Sequence, residues 1–332
     1  LLFGGKLVYL VPNDRETLIE SNWRYTPSCQ NPNFYQLLDK ALQEHGDTLL
    51  VSDLSEFSKP GGEEFLARID IFLFSNLPKI AGRHWREALL RLSGKKLILI
   101  AYEPPTVMQE MYEPCMLSCF SRVLTWDDSR VDNVKFFKFC YPYLLPLMQD
   151  VPSFSKKKFL TMVVRYKRAA GENELYSERL RMVRYFEKHP KLGFEFYGLR
   201  WPRRKFSTYR GAIPGGREGK LDILKHYRFC IAYENTKGTP GYITEKIFDC
   251  FAAGVVPIYW GASNIEQYIP KNCYILRENF ASTKSLVTYL EHMTEAEYIS
   301  YLSNARKFLS SPAARQFSSE KMVETILSVI EK

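Results

Sequence analysis

Strand-length apolar runs alternate with helical stripes along most of this chain. Residues 7–11, 48–51, 69–74 and 96–101 read as strands, with a further one at 123–126. Between them, 34–45 and 85–92 carry helical periodicity, the first with Phe34, Leu38, Ala41 and Leu42 on one face and Asn33 as its N-cap. The alternation resumes at 159–164, 194–198, 229–233, 255–259 and 273–276 for strands, and at 174–188, 220–226, 243–253, 283–309 and 318–331 for helices. Strands alternating with helices predict an α/β protein with mostly parallel sheets. The segment 140–152, with Pro142, Pro146 and Pro152, reads as a linker. The expected division is 1–152, 153–310 and a terminal helical segment 311–332.

The stretch 227–261 is the one around which the rest is arranged. An apolar strand ends at Glu234-Asn235, the loop 236–241 carries Pro and two Gly, a helix runs over 243–253, Gly254 stops it, and a second buried strand follows. Strand, loop, helix, strand is a βαβ unit with parallel neighbours. In open parallel sheets ligands bind outside the carboxyl ends of the strands, the edge that Glu234 and Asn235 occupy. The helix opening there offers free N–H groups to an anion. Thr244 falls in the first turn, within reach of an N–H or a phosphate. Glu245 suits that turn electrostatically and Lys246 opposes it. An arriving anion would reconcile Lys246 with the helix end; a lysine reaching water is the second reading.

Composition narrows the partners. The chain has 332 residues, ordinary apolar and charged fractions, and a net charge of +9. No run reaches the ~18 apolar residues that a membrane span needs. The positive excess fits nucleic acid, an anionic membrane surface or an anionic small molecule, but no zinc-finger or RNA-binding signature accompanies the basic runs, which argues against nucleic acid. Seven cysteines at scattered spacing do not form a disulfide framework, and Cys115-x3-Cys119 has no partner at zinc spacing. Cys230, Cys250 and Cys273 read as small core hydrophobes.

Other places invite chemistry. The strand ending at Ala101 is followed by Tyr102-Glu103-Pro104, and Pro104 restricts Glu103 to an extended backbone. A positioned general base is held in such a place, and an exposed turn carboxylate is equally compatible. Asp127-Asp128 are adjacent, so in an extended segment they point apart, and the segment reads as a turn. The run 215–220 (GGREGK) lacks the first Gly and the hydroxyl of a phosphate loop and reads as a loop entering a short helix. The polar, aromatic loop 22–33 suits either a sugar-facing or an ordinary surface role.

The string Tyr233-Glu234-Asn235, Tyr242-Ile243-Thr244-Glu245-Lys246, Gly254-Val255-Val256-Pro257 and Gly261 is similar to the signature of the α-1,3/1,4-fucosyltransferase family. The resemblance implies a GT-B fold, two Rossmann-like α/β domains facing a central cleft, with the terminal helical segment 311–332 packing back on the first domain. It also implies GDP-β-L-fucose as donor, inversion at the anomeric carbon, a glycan acceptor containing GlcNAc, and no metal or other cofactor. By the same resemblance Glu103 stands where the family carries its catalytic base, although Pro104 replaces a serine of that motif. Arg179, or Arg181 as the alternative, stands near the start of the helix that carries an arginine against the diphosphate. Asn235, Tyr242, Thr244, Glu245 and Lys246 are the expected donor-binding residues. Lys167 joins them, in a segment (165–168) that departs from the family's Ser-Asn. These departures leave open another nucleotide sugar or an inactive binding module. With no N-glycosylation sequon in the chain, the expected location is cytoplasmic with peripheral membrane contact. A Golgi lumen is the alternative, for a chain whose N-terminal anchor has been removed.

Overall fold

The computed structural model describes residues 5–12, 34–52, 54, 60–77, 89, 91–143, 146–202 and 204–332. The loop 22–33, the cap Asn33 and most of the helix expected over 85–92 lie outside the described residues. Two compact units are present: 1–142 together with 316–332, and 143–315. The boundary stands at 142/143, ten residues before the expected 152.

The first unit is built on a parallel sheet of β1 (Leu7–Val11), β2 (Thr48–Val51), β3 (Ile71–Ser75), β4 (Lys96–Ala101), β5 (Arg122–Thr125) and β6 (Phe136–Lys138), in the order β2-β1-β3-β4-β5-β6. Its helices are α1 (Phe34–Glu44), α2 (Gly62–Ala67) and α3 (Pro114–Ser118). β3 is buried along its whole length, as expected of a central parallel strand. The second unit carries β7 (Lys158–Val163), β8 (Phe194–Tyr197), β9 (Tyr227–Tyr233), β10 (Val256–Trp260) and β11 (Ile275–Leu276), all parallel, in the order β11-β10-β9-β7-β8. Its helices are α4 (Tyr176–Glu187), α5 (Gly216–Leu224), α6 (Glu245–Ala252), α7 (Thr283–His292) and α8 (Glu295–Leu309). The last helix, α9 (Ser319–Glu331), belongs to the first unit, where the Ile330 carbonyl accepts from Lys96 Nζ at 2.7 Å.

The strand order of the second unit is that of a doubly wound sheet: from β7 the chain moves out to β8, then returns to β9 on the other side. The crevice between the carboxyl ends of β7 and β9 is therefore the topological switch point, the place where such sheets take ligand. The loop after β7 carries Lys167 and leads to α4, and the loop after β9 carries residues 234–244.

Several elements differ from their sequence expectation. The helix expected over 283–309 is two helices, because Thr294 caps α8 in a capping box with Glu297, and Met293 is extended. The helix expected over 220–226 begins at Gly216, after Gly215 in the left-handed conformation. The helix expected over 243–253 begins at Glu245, so Thr244 is its N-cap rather than part of its first turn. Strands β6 and helices α2 and α3 are too short to leave a periodic pattern.

Gly254 ends α6 at φ 63°, and a Cβ there would stand 2.9 Å from Val151. Its carbonyl accepts from Lys157 Nζ (2.5 Å) and from Tyr298 (3.0 Å). Lys157 is buried, and burial lowers its ammonium to about 7. An unfolded lysine titrates near 10.4, so between about pH 7 and 10 the unfolded chain binds a proton that the folded chain does not. Stability contributed by this group therefore rises with pH across that window, by about 1.4 kcal/mol per unit, and is flat below it. Thermal unfolding of the wild type and of Lys157→Met between pH 7 and 9 should show that slope in the first and its loss in the second.

Candidate functional site

Glu234 directly follows β9, and its backbone N–H still donates to the Trp260 carbonyl of β10 at 2.8 Å. Its side chain is completely buried. One carboxylate oxygen accepts from the Thr244 N–H (2.7 Å); the other accepts from the Thr244 hydroxyl (2.6 Å) and from Lys246 Nζ (3.1 Å). A buried carboxylate needs this many partners to remain charged away from water. Gly261 makes room for it: a Cβ at that position would stand 2.5 Å from Glu234 Cγ. The glycine that closes the sequence signature is thus the one that lets this side chain lie flat against the end of β10.

Lys246 points back over the end of α6. Its ammonium donates to Glu234, to Thr244 Oγ1 (2.9 Å) and to Glu245 (3.3 Å). These three acceptors match the three protons of an ammonium. The side chain retains 14% exposure and that of Glu245 retains 32%. A cation in the first helical turn is unfavourable by itself; the Glu234 carboxylate at the same helix end offsets it. Burial would raise the Glu245 carboxyl, but Lys246 and then Lys220 outweigh it. Together they hold Glu245 well below the usual carboxylate range. Thr244, expected to offer its hydroxyl to a phosphate or a free helix N–H, instead donates it to Glu234 and makes no capping bond.

The helix that follows the other strand of the crevice, β7, contributes Arg179, buried in the first turn of α4. Its Nη2 donates to the Tyr233 carbonyl (2.7 Å) and to Asn235 Oδ1 (3.1 Å), while its Nε is buried with no hydrogen-bond partner among the described residues. Burial lowers its guanidinium from the ordinary value, opposed by Tyr176 and Glu234. Asn235 turns its amide nitrogen to the Tyr242 hydroxyl at 3.3 Å. Between the two arginines weighed from the sequence, Arg181 is exposed and pairs with Glu178, whereas Arg179 is joined to the loop of the signature. Lys167 is exposed in the loop after β7.

The structure therefore joins Arg179, Asn235 and Tyr242 in one hydrogen-bonded chain and Glu234, Thr244, Glu245 and Lys246 in another. Glu234 was not among the expected site residues. A carboxylate directly ending an apolar parallel strand, one residue before an expected ligand residue, was its sequence signal. The run 215–220 has a structural duty: Lys220 Nζ lies 2.6 Å and Arg217 Nη2 2.7 Å from the fully buried carboxylate of Asp249 on α6. They tie α5 to the helix that opens on the site. Among the described residues no cluster of three or more His, Cys, Asp or Glu has metal-binding geometry.

In the first unit, Glu103 follows β4 at the carboxyl edge and is partly exposed. The Tyr112 hydroxyl donates to its carbonyl at 2.7 Å. Asp127 caps the turn 128–130 through Ser129, so Asp127-Asp128 form a structural turn.

Two parallel-sheet α/β units of this kind make up the GT-B fold. The sequence model for the C-terminal region of glycosyltransferase family 10 (fucosyltransferase) matches residues 155–326, and the chain belongs to this family. An alpha-(1,4)-fucosyltransferase of Arabidopsis thaliana is 39% identical over 70 residues, 21% of this chain and 17% of that protein. Human alpha-(1,3)-fucosyltransferase 4 is 27% identical over 210 residues, 60% of this chain and 35% of that protein. The aligned stretches thus span well under two thirds of these relatives' own lengths. Among solved structures, an alpha1,3-fucosyltransferase with GDP superposes with a TM-score of 0.57 at 14% identity, covering 100% of this chain and 92% of that one.

Removing the Glu234 carboxylate leaves Lys246 and Thr244 facing an empty, buried acceptor position. Glu234→Ala should cost about 3 kcal/mol or more, read in denaturant unfolding. Arg181→Ala, at an exposed pair, should change stability by less than about 0.5 kcal/mol in the same assay.

Proposed function

We propose that this fucosyltransferase moves L-fucose from GDP-β-L-fucose to a hydroxyl of a GlcNAc-containing glycan, with inversion and without a metal. The observation that carries the donor reading is the Lys246 ammonium held over the N-terminal end of α6, with buried Arg179 of α4 hydrogen-bonded to the end of β9 and to Asn235. Charge grows on the diphosphate as the bond from fucose C1 to its oxygen breaks, and fixed cations at a helix end can take the role that Mg²⁺ plays elsewhere.

All three protons of Lys246 already have acceptors, so a phosphate oxygen must replace one of them. The contact to Glu245 is the longest of the three and its partner is the most exposed. In this reading the donor takes that place, and Glu245 turns to a hydroxyl of the ribose or the fucose. Glu234 and Thr244 keep the ammonium in position. Among the described residues Arg179 Nε donates to none, and Asn235 and Tyr242 fix the loop against it. Lys167 supplies a further cation. Glu103 takes the proton of the acceptor hydroxyl as that oxygen bonds to C1, and the electron pair of the breaking C1–O bond leaves with GDP.

Transfer from GDP-fucose to lactose, N-acetyllactosamine and lacto-N-biose should proceed in EDTA. Lys246→Ala should lower kcat/KM by about 10²–10³, and Glu103→Ala should remove transfer while leaving GDP binding intact. Transfer that stops in EDTA and returns with Mg²⁺ would contradict the metal-free reading. A Glu103→Ala enzyme of wild-type rate would remove Glu103 as the base.

A further inference from the structure

The peptide that carries Glu103 is gripped from an unexpected quarter. Asn76 directly follows β3, where its N–H donates to the Ile100 carbonyl of β4 at 2.9 Å. It is buried at 4% exposure and has φ 60°, one of only three non-glycine residues with positive φ among those described. Asparagine tolerates that conformation better than most residues, but the conformation still costs energy and persists where surrounding structure fixes it. Its side-chain oxygen accepts two backbone N–H groups, from Tyr102 at 2.8 Å and from Glu103 at 2.9 Å. The other face of the same peptides is held as well. Tyr141 donates to the Tyr102 carbonyl, and Tyr112 to the Glu103 carbonyl at 2.7 Å. Burial, together with the Asp127 and Glu103 charges, keeps the Tyr112 phenol protonated far above its usual range, so it remains a donor; Arg130 opposes them.

Every backbone polar group of residues 102 and 103 therefore has a side-chain partner, and Pro104 restricts Glu103 from the other direction. The Glu103 side chain has no such bond among the described residues, which leaves the carboxylate available. An ordinary surface turn does not need a buried, strained asparagine to collect its N–H groups. A carboxylate that must meet one hydroxyl at hydrogen-bond distance does, since small misplacements of a catalytic group cost large factors in rate.

We propose that Asn76 is a positioning residue for Glu103: its side-chain oxygen fixes the 102–103 backbone so that the carboxylate is presented in one place. This rests on the reading of Glu103 as the base. Three variants, assayed with GDP-fucose and N-acetyllactosamine, separate the two claims. Asn76→Gly permits the same φ and deletes the acceptor; kcat should fall about 10–100-fold with the KM for GDP-fucose unchanged. Asn76→Asp restores an acceptor of the same shape and should recover most of the rate lost in the glycine variant. It also places a second carboxylate beside Glu103, so the acid limb of its pH–rate profile should move to higher pH. Glu103→Gln should be inactive throughout. A glycine variant with wild-type kcat, or an aspartate variant with neither rescue nor a moved acid limb, overturns the proposal. A Glu103→Gln enzyme that retains its rate overturns the base assignment instead.

Discussion

The buried Glu234 carboxylate is the constraint on which the candidate site depends. It is fully enclosed, and a buried anion persists only when its partners compensate for lost hydration. Those partners are Thr244 and Lys246, so the end of β9 and the start of α6 are joined by one charge. The same contact explains a glycine at 261, where any side chain would displace Glu234. It also explains a lysine where the helix dipole disfavours one. Strand end, loop and helix start are thereby a single rigid piece, and rigidity at a cation is what allows it to stabilise charge that forms during a reaction.

A second buried carboxylate does the same at the other side of α6. Asp249 holds Lys220 and Arg217 from α5, and Lys220 in turn helps keep Glu245 ionised. The excess of positive charge read from the composition is therefore not all surface. Arg179, Arg217, Lys220 and Lys246 are each bound to carboxylates, carbonyls or amides around the carboxyl edge of one sheet.

Much of this was legible in the sequence where the relevant residues are contiguous. The unit β9–α6–β10 lies within 35 residues, its apolar runs are long, and Gly254 marks the helix end. The ligand edge at the carboxyl ends of the strands followed from strand alternation, and a specific signature then marked Glu245 and Lys246; the strand order that makes it a switch point did not. What was not legible depends on contacts between distant segments. Nothing near Asn76 shows that its side chain meets residues 102 and 103. The burial of Arg179 and the exposure of Arg181 were not legible either, because both flank the apolar position Leu180. The break at Met293-Thr294 was written in the capping box of Thr294 and Glu297, but the apolar stripe continuing on both sides obscured it. Domain membership of α9 is a tertiary fact: its apolar face would suit either core.

The measurement that bears most directly on the central claim is calorimetric titration of GDP into the protein in EDTA, alongside UDP, with Lys246→Ala as the comparison. A GDP-fucose donor site built on a cation and a helix end predicts GDP binding that survives EDTA and weakens at least tenfold in Lys246→Ala, and, from the identity of the donor, exceeds UDP binding. GDP binding that needs a divalent ion, or that is unchanged in Lys246→Ala, would contradict it.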